Sequence, residues 1–293
     1  MPSVTRFAPS PTGYLHLGHA YSALIAAATA RDAGGRFLLR IEDIDGGRCR
    51  PQFEDAIRED LAWLGLAWEE PVRRQSEHLA DYRKALESLQ ADGLIYPCFC
   101  TRGDIRAEIA RATVAPHAAP HGPEGATYPG TCRALSATVR TERIAAGLPH
   151  ALRLDMARAV DAAGILTWRE HERREITADP APFGDVVLAR KDTPTSYHLA
   201  VTLDDHLQGI TLVTRGEDLF EATHVHRLLQ ALLALDTPEY AHHALLRDAS
   251  GRRFAKRDRA LTLHELRAAG HTPERLREIL AKPANLSAFL GAL

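Results

Sequence analysis

The hydrophobic and polar positions near the N-terminus predict a strand, a helix and a second strand in succession. A short apolar run over residues 4–8 predicts a buried strand, and two prolines with Gly13 then break it and form a tight turn. The alanine-rich segment 15–31 predicts a helix, and the apolar run 36–41 predicts the next strand. A strand–helix–strand unit of this kind predicts an α/β fold with a parallel sheet.

Further along the chain, helical spacing and short apolar runs alternate. The predicted helices cover residues 51–64, 77–92, 103–111 and 219–235. The predicted strands cover residues 152–154, 164–168, 185–190, 209–219 and 244–247. We expect residues 196–200 to enter the second half of the sheet, and Asp204 with Asp205 to begin or cap a helix. Two or three short helices are predicted over 261–293.

Length and composition are those of an ordinary globular protein. The chain has 293 residues, of which 45% are hydrophobic and 25% charged. A net charge of −2 argues against a generally basic nucleic-acid-binding coat, although it allows a local basic patch. No apolar run predicts a membrane span, and no signal-peptide pattern is present. Four cysteines do not make a disulfide framework at this length, so we expect a cytoplasmic protein, and we expect a monomer.

The turn after the first strand carries the first candidate chemistry. A strand, a Gly/Pro turn and a helix N-terminus form an anion site, because free N–H groups and the helix dipole point at the turn. His16 and His19 are three residues apart, which predicts that they share one face of the first helical turn. Gly18 lets a flat ring or a phosphate approach the backbone. The segment is neither a P-loop nor a dinucleotide fingerprint, and the alternative is a polar surface turn.

Two charged stretches follow strands. Glu42 directly follows the strand 36–41, so it falls at the same carboxyl edge of the sheet as residues 6–10. Residues 250–257 form a basic loop, Ser-Gly-Arg-Arg-Phe-Ala-Lys-Arg, behind the strand predicted at 244–247. For both stretches the alternative is a solvated surface turn.

Three of the four cysteines form a candidate metal site. Cys98 and Cys100 are two residues apart, so both thiols point to one side of an extended chain, and Cys132 follows a loop rich in Pro, His and Gly. Three convergent thiolates suit Zn²⁺, which we expect once per chain in a structural role. His117 and His121 are chemically suitable fourth ligands. The alternative is three small buried side chains without metal.

Residues 6–19, Arg-Phe-Ala-Pro-Ser-Pro-Thr-Gly-Tyr-Leu-His-Leu-Gly-His, closely resemble the signature of class I aminoacyl-tRNA synthetases of the glutamyl type. Arg-Ile-Glu-Asp-Ile-Asp at 40–45 resembles a second family motif. The basic loop resembles the family's Lys-Leu-Ser-Lys-Arg, from which Arg253 and Ala255 depart. The resemblance implies ATP contacts at His16, Gly18, His19 and Lys256, with His16, His19 and Lys256 catalytic and Mg²⁺ accompanying ATP.

The resemblance also implies a site for glutamate. A tyrosine and an arginine hold the amino acid in the glutamyl family, and Tyr197 and Arg215 match their positions. Because glutamate has two carboxylates and one ammonium, two arginines and one acidic residue suit it. The implied glutamate contacts are Arg6, Phe7, Ala8, Pro9, Ser10, Glu42, Tyr197 and Arg215. The alternative is that Arg6 and Arg40 form only structural ion pairs with Glu42 or Asp43.

For the fold, the resemblance implies a Rossmann-like parallel sheet with an inserted zinc-containing subdomain. We expect the first half of the catalytic domain at 1–96 and the inserted subdomain, which contacts RNA, at 97–183. The second half is expected at 184–258. A short helical C-terminal segment at 259–293, without an anticodon-binding domain, completes the expected organisation.

The arrangement of Cys98, Cys100, Tyr128 and Cys132 also resembles the glutamyl-Q branch of this family, where a matching tyrosine belongs to the zinc site. That branch activates glutamate without tRNA and attaches it to queuosine at the wobble position of tRNA(Asp). Because little chain follows the basic loop, we expect this branch. The alternatives are a truncated glutamyl-tRNA synthetase charging the 3′ end of tRNA(Glu), and a catalytically silent RNA-binding paralogue. The intact His-x-Gly-His and Lys256 count against the second alternative.

Overall fold

The computed structural model describes residues 2–114, 121–123, 125–171, 175–246 and 262–282. The strands are β1 (Val4–Phe7), β2 (Arg36–Ile41), β3 (Glu69–Arg74), β4 (Ile95–Cys98), β5 (His121–Gly122), β6 (Gly125–Ala126), β7 (Ala151–Leu154), β8 (Thr167–Arg169), β9 (Glu175–Thr177), β10 (Val187–Ala189), β11 (Leu212–Gly216) and β12 (Glu239–His243). The α-helices are α1 (Leu17–Asp32), α2 (Pro51–Trp63), α3 (Leu79–Ala91), α4 (Arg102–Val114), α5 (Ala137–Ala145), α6 (Met156–Ala163), α7 (Tyr197–Leu207), α8 (Ala222–Leu232), α9 (Leu263–Ala268) and α10 (Pro273–Ala281).

The chain divides into two compact units, each built from separate stretches of sequence. The first unit comprises Met1–Glu77, Gly209–Phe220 and Pro238–Leu293. The second unit comprises His78–Gln208 and Glu221–Thr237. The chain therefore leaves the first unit twice and returns to it twice.

Parallel strand pairing organises the first unit. Strands β1, β2 and β3 form one sheet in that order, and β11 pairs with β12, with every pair parallel. The amide of Thr211 donates to the carbonyl of Val4 over 3.0 Å, so β11 starts beside β1. This arrangement confirms the parallel sheet and the α/β class predicted from the sequence.

Helix α1 packs against β1 through its small side chains. Leu17, Ala20, Ala23 and Ala26 are all buried, and their spacing of three residues keeps them on one side of the helix. The hydroxyl of Thr5 on β1 donates to the carbonyl of Ala26 over 2.8 Å. Alanine at these positions lets the helix backbone approach the strand closely enough for this bond.

The second unit contains an antiparallel sheet and a helical layer. Strand β7 lies between β10 and β4 and pairs antiparallel with both. Helices α6 and α7 both contact α8, while α3 contacts α7 and β4. Strands β5 with β6 and β8 with β9 form two small antiparallel hairpins.

The structure corrects the prediction for residues 196–205. Ser196 is the N-cap of α7, its hydroxyl accepting from the Leu199 amide over 3.5 Å, so the chain enters a helix where the sequence predicted a sheet. Asp204 and Asp205 lie buried near the end of this helix instead of at its start. Asp204 was predicted to cap a helix because a carboxylate buried within a helix is rare. Its actual partner is the buried Tyr82, which is distant in the sequence.

Several other elements differ from the predictions, and helices α5 and α6 were not predicted at all. The strand expected at 244–247 lies earlier in the chain, as β12, which ends at His243. Leu246 is a buried residue in the following loop, and apolar residues at this point in the sequence resembled a strand. The helix expected at 219–235 is the shorter α8. Strand β3 was not predicted, because its polar sequence Glu-Glu-Pro-Val-Arg-Arg carries no alternating pattern.

None of the helices in the described part of the chain is both long enough and apolar enough to span a membrane.

The buried pair of Tyr82 and Asp204 generates a stability prediction. The Tyr82 hydroxyl donates to both Asp204 carboxylate oxygens, over 3.0 and 2.9 Å, and neither residue is accessible to solvent. We expect Tyr82→Phe to lower the free energy of unfolding by about 1–3 kcal/mol, because it withdraws a donor from a buried carboxylate. Equilibrium urea unfolding followed by circular dichroism measures the change.

The matched control removes a hydroxyl from the exposed side of the same helix. Ser88→Ala should change the free energy of unfolding by no more than about 0.5 kcal/mol. A Tyr82→Phe protein as stable as the Ser88→Ala protein would show that the buried bond contributes nothing to stability.

Candidate active site and cysteine cluster

Two histidines build the turn that leads from β1 into α1. His16 is the N-cap of α1, and its Nδ1 accepts from the amide of Gly18 over 3.1 Å. The His16 amide in turn donates to Nδ1 of His19 over 3.2 Å. The two rings stack with their centroids 3.7 Å apart. The predicted shared face is confirmed by the stacked rings, but the predicted helix start at residue 15 was two residues early, because His16 caps a helix that begins at Leu17.

These two bonds form a reciprocal cap, which determines which nitrogen of each ring carries the proton. A ring nitrogen that accepts from a backbone N–H carries no proton, so each neutral ring holds its proton on Nε2. The Nε2 atoms are thus the donors at the N-terminus of α1, where the helix dipole favours anions. Glycine at position 18 matters, because an added Cβ would lie only 2.9 Å from the His16 ring.

Two arginines lie at the ends of neighbouring strands and are almost completely buried. Arg6 on β1 and Arg215 on β11 each expose 6% of their surface. Arg6 donates to the carbonyl of Thr214 over 3.2 Å, which ties β1 to β11. The Nε of Arg215 donates to Nε2 of His242 over 3.1 Å. Buried guanidinium groups need such acceptors, because burying a cation without partners is costly.

Glu42 lies at the predicted carboxyl edge, immediately after β2. Its amide donates to the carbonyl of Pro9 over 3.0 Å, which places it beside the turn after β1. Its carboxylate lies 3.5 Å from the fully buried Arg40, an ion pair that the sequence allowed. Asp43 instead binds Ser76, through both the amide and the hydroxyl. The structural ion pair therefore exists between Arg40 and Glu42, and it holds the Glu42 carboxylate at the strand end.

The remaining predicted contacts are distributed over both units. Phe7 and Pro9 are buried, Ala8 is half-buried and Ser10 is exposed in the turn after β1. Tyr197 is the first residue of α7 in the second unit, where its ring contacts those of His198 and His226.

Several predicted residues fall outside the described residues. These are Lys256, Arg253 and Ala255 of the basic loop, His117, and the side chain of His121.

The prediction that three cysteine thiols converge is confirmed. The Sγ atoms of Cys98, Cys100 and Cys132 all lie within 4.8 Å of one another. The hydroxyl of Tyr128 lies 3.4 Å from Cys98 Sγ and 3.5 Å from Cys100 Sγ, and it accepts from the Cys132 amide over 2.8 Å. Burial raises the pKa of the Cys100 thiol to about 11 and so disfavours its thiolate. A cation bound beside the thiol would act in the opposite direction and favour the thiolate. Four soft or polar donors therefore surround one point.

Asp185 joins the two segments that carry these cysteines. The Tyr96 hydroxyl, two residues before Cys98, donates to Asp185 over 2.5 Å. Arg133, next to Cys132, donates to both Asp185 oxygens over 3.1 Å. Burial, and then the bond to Asp185, raises the pKa of Tyr96. The cluster is thus held together by contacts that do not involve a sulfur atom.

Comparison with known proteins decides the family. Residues 3–284 match the family model described as tRNA synthetases class I (E and Q), catalytic domain. The chain belongs to this class I tRNA synthetase family. A glutamyl-Q tRNA(Asp) synthetase of Rhodobacter capsulatus is 51% identical over 286 residues, which cover 94% of this chain and 99% of that protein. A glutamate–tRNA ligase 2 of Acidithiobacillus ferrooxidans is 41% identical over 289 residues, covering 95% of this chain and 57% of that protein.

The fold of this class I synthetase is shared with a solved structure. A glutamate tRNA ligase from Elizabethkingia meningosepticum, solved in complex with its amino acid, superposes with a TM-score of 0.80 at 27% identity. The match covers 96% of this chain and 61% of that chain. The chain thus spans less than two thirds of the length of that relative.

One residue beside the candidate site of this class I synthetase was missed by the sequence analysis. His242 lies opposite Arg215 in the register of β11 and β12. A predicted strand at 239–243, together with the knowledge that it pairs with β11, would have placed His242 beside Arg215. The sequence alone could not supply that partner, because 27 residues separate the bonded pair.

The reciprocal histidine cap generates a prediction for local stability. We expect His16→Ala to raise the hydrogen-exchange rate of the Gly18 amide and to lower stability by about 1 kcal/mol, because it removes the N-cap. His16→Asn should largely restore both, since asparagine is also a good N-cap. Hydrogen exchange read by NMR, together with thermal unfolding, measures the two effects.

His78→Ala is the control for this prediction. His78 occupies the N-cap of α3 but caps no backbone amide there, so its loss should cost no more than about 0.5 kcal/mol. Equal losses for His16→Ala and His78→Ala would contradict a capping role for the His16 ring.

Proposed function

We propose that this chain activates L-glutamate with ATP, without needing tRNA, and transfers the glutamyl group to the queuosine base at the wobble position of tRNA(Asp). Membership of the family makes the chain an ATP-using ligase whose partners are tRNA and glutamate. The observation that carries the finer assignment is its similarity, over nearly the whole length of both proteins, to a glutamyl-Q tRNA(Asp) synthetase. The glutamate–tRNA ligase that we compared is less similar.

The turn between β1 and α1 supports the activation step. A glutamate carboxylate oxygen attacks the α-phosphorus of ATP, a new P–O bond forms, and pyrophosphate leaves. Negative charge grows on the phosphate oxygens, so positioning and preorganised donors matter most. The Nε2–H groups of His16 and His19, at the N-terminus of α1, supply such donors. One preorganised donor of this kind contributes about 3–4 kcal/mol. Lys256, outside the described residues, would neutralise part of the negative charge on the pyrophosphate leaving group.

The strand ends support glutamate as the amino acid. The buried guanidinium groups of Arg6 and Arg215 suit its two carboxylates, and Glu42 suits its ammonium group. Ser10 in the turn and Tyr197 at the start of α7 would add neutral hydrogen bonds. Phe7, Ala8 and Pro9 would line the site. A pocket with two arginines and one carboxylate matches the net charge of an acidic amino acid.

The cysteine cluster supports a structural Zn²⁺ site. Three convergent sulfur atoms are the ligands that Zn²⁺ prefers, and the Tyr128 hydroxyl lies close enough to complete a set of four. When bound, the metal would fix the chain from Cys98 to Cys132. We assign this site to an inserted subdomain at 97–183 that contacts the RNA, between catalytic halves at 1–96 and 184–258.

The function is tested in two assays. Glutamate-dependent ATP–pyrophosphate exchange should occur without tRNA, because this chain itself supplies every group proposed for the activation step. Labelled glutamate should then be transferred to tRNA(Asp) that contains queuosine and not to tRNA(Asp) with guanine at the same position. The matched pair of tRNAs differs in one base, so it isolates the acceptor.

Each other outcome identifies a competing function. Equal labelling of both tRNA(Asp) forms would exclude queuosine as the acceptor. Labelling of tRNA(Glu) would identify an enzyme that charges the 3′ end. A folded protein with no exchange activity would leave only an RNA-binding role.

The zinc site has a separate test. We expect the purified wild-type protein to hold about one zinc ion per chain, and Cys98→Ser and Cys100→Ser to lose most of it, because serine is a poor zinc ligand. Metal analysis of the dialysed proteins measures this. Cys49→Ser is the matched control and should keep its zinc, since Cys49 is not part of the cluster. Wild-type protein without zinc, or equal zinc in all variants, would refute the site.

A further inference from the structure

The bond between Arg215 and His242 is a feature of the candidate site that the sequence motifs do not contain. Parallel pairing of β11 with β12 places Arg215 opposite His242, one position before each strand ends. Side chains opposite each other in a sheet point to the same face. The register therefore brings the imidazole beside the guanidinium at the carboxyl edge.

The chemistry of the bond fixes the state of the histidine. The Nε of arginine always carries a hydrogen, so the His242 nitrogen that it contacts at 3.1 Å must accept. His242 is therefore neutral, with its proton on Nδ1. A neutral acceptor orients the guanidinium and leaves its positive charge in place, whereas a carboxylate at the same position would cancel that charge.

The bond also selects which edge of the guanidinium is used. Carboxylates bind arginine through two parallel hydrogen bonds, either at the edge with Nε or at the edge with the two Nη groups. His242 takes the Nε edge. An acidic ligand of Arg215 would therefore bind at the Nη edge, in one defined orientation.

Aromatic rings hold this pair in place. The guanidinium lies 5.2 Å from the centre of the buried Tyr240 ring, a cation–π contact. The His242 ring is parallel to Tyr240 at 6.1 Å and lies edge-on to Phe220 at 5.1 Å. The imidazole thus has a fixed orientation before any ligand binds, which reduces the entropy that Arg215 loses on binding.

We propose that His242 is a positioning residue for amino-acid binding, which fixes Arg215 so that its Nη edge receives a carboxylate of the substrate. The inference rests on the proposed function, in which Arg215 binds glutamate. His242 touches neither the amino acid nor ATP in this role. Its loss should weaken glutamate binding and leave ATP binding and the rate at saturation nearly unchanged.

The test compares His242→Phe with His242→Gln. Phenylalanine fits between Phe220 and Tyr240 but cannot accept a hydrogen bond, whereas the glutamine side-chain oxygen can replace Nε2. In ATP–pyrophosphate exchange, His242→Phe should raise the KM for glutamate about tenfold or more and change the KM for ATP by less than about twofold. His242→Gln should restore the glutamate KM to within about threefold of wild type.

Two controls separate positioning from packing. His243→Gln alters the adjacent imidazole, which contacts Ser22 and Tyr21 instead of Arg215, and should leave the glutamate KM unchanged. In an Arg215→Lys background, where no Nε donor exists, His242→Phe should have no further effect on that KM. Independent, multiplying effects of the two substitutions would overturn the proposal, as would a rise in the KM for ATP equal to that for glutamate.

A measurement on the wild-type protein tests the same proposal without any variant that could fail to fold. The ¹⁵N chemical shifts of His242 should show a protonated Nδ1 and an unprotonated Nε2 at neutral pH. A proton on Nε2 would overturn the proposal. Wild-type protein that neither binds nor activates glutamate would overturn the proposed function itself, which distinguishes that failure from a failure of His242 alone.

Discussion

The parallel pairing of strands in the first unit is the constraint from which its candidate site follows. Parallel strands end at a common edge, where backbone carbonyls and the following turns are not used by the sheet. Buried cations can exist there because they find acceptors: Arg6 donates to the Thr214 carbonyl and Arg215 to His242. The same edge receives Glu42, whose amide is bonded to Pro9 of the neighbouring turn. In a sheet of another topology these charged groups would lie apart, and each would be buried without a partner at a large desolvation cost.

The second unit uses buried polar groups for a different purpose. Asp185 accepts from Tyr96, Arg133 and the Met156 amide, so one carboxylate connects three segments. Because Tyr96 and Arg133 flank the cysteines, these bonds bring the thiols together. The second buried carboxylate, Asp204, links α7 to α3 through Tyr82. In this unit, buried acids therefore join segments that are distant in the sequence.

Local features were predictable from the sequence, and features that depend on distant partners were not. The first strand, the alanine-rich helix and the strand at 36–41 followed from residue patterns, as did the convergence of the cysteines. Asp204 and His242 could not be assigned, because the role of each depends on a partner on another element. Strand β3 was missed since it is polar and half exposed. The basic loop with Lys256 remains a prediction outside the described residues.

The reciprocal cap at the start of α1 has a consequence for acid conditions. Both Nδ1 atoms serve as acceptors for backbone amides, and an imidazolium ring has no acceptor. Protonating either ring would therefore break a capping bond at the same moment as it adds a positive charge to the positive end of the helix. Acidification would thus disturb the shape of this turn and its electrostatics together, so that neither histidine can gain a proton without loosening the backbone that holds the other.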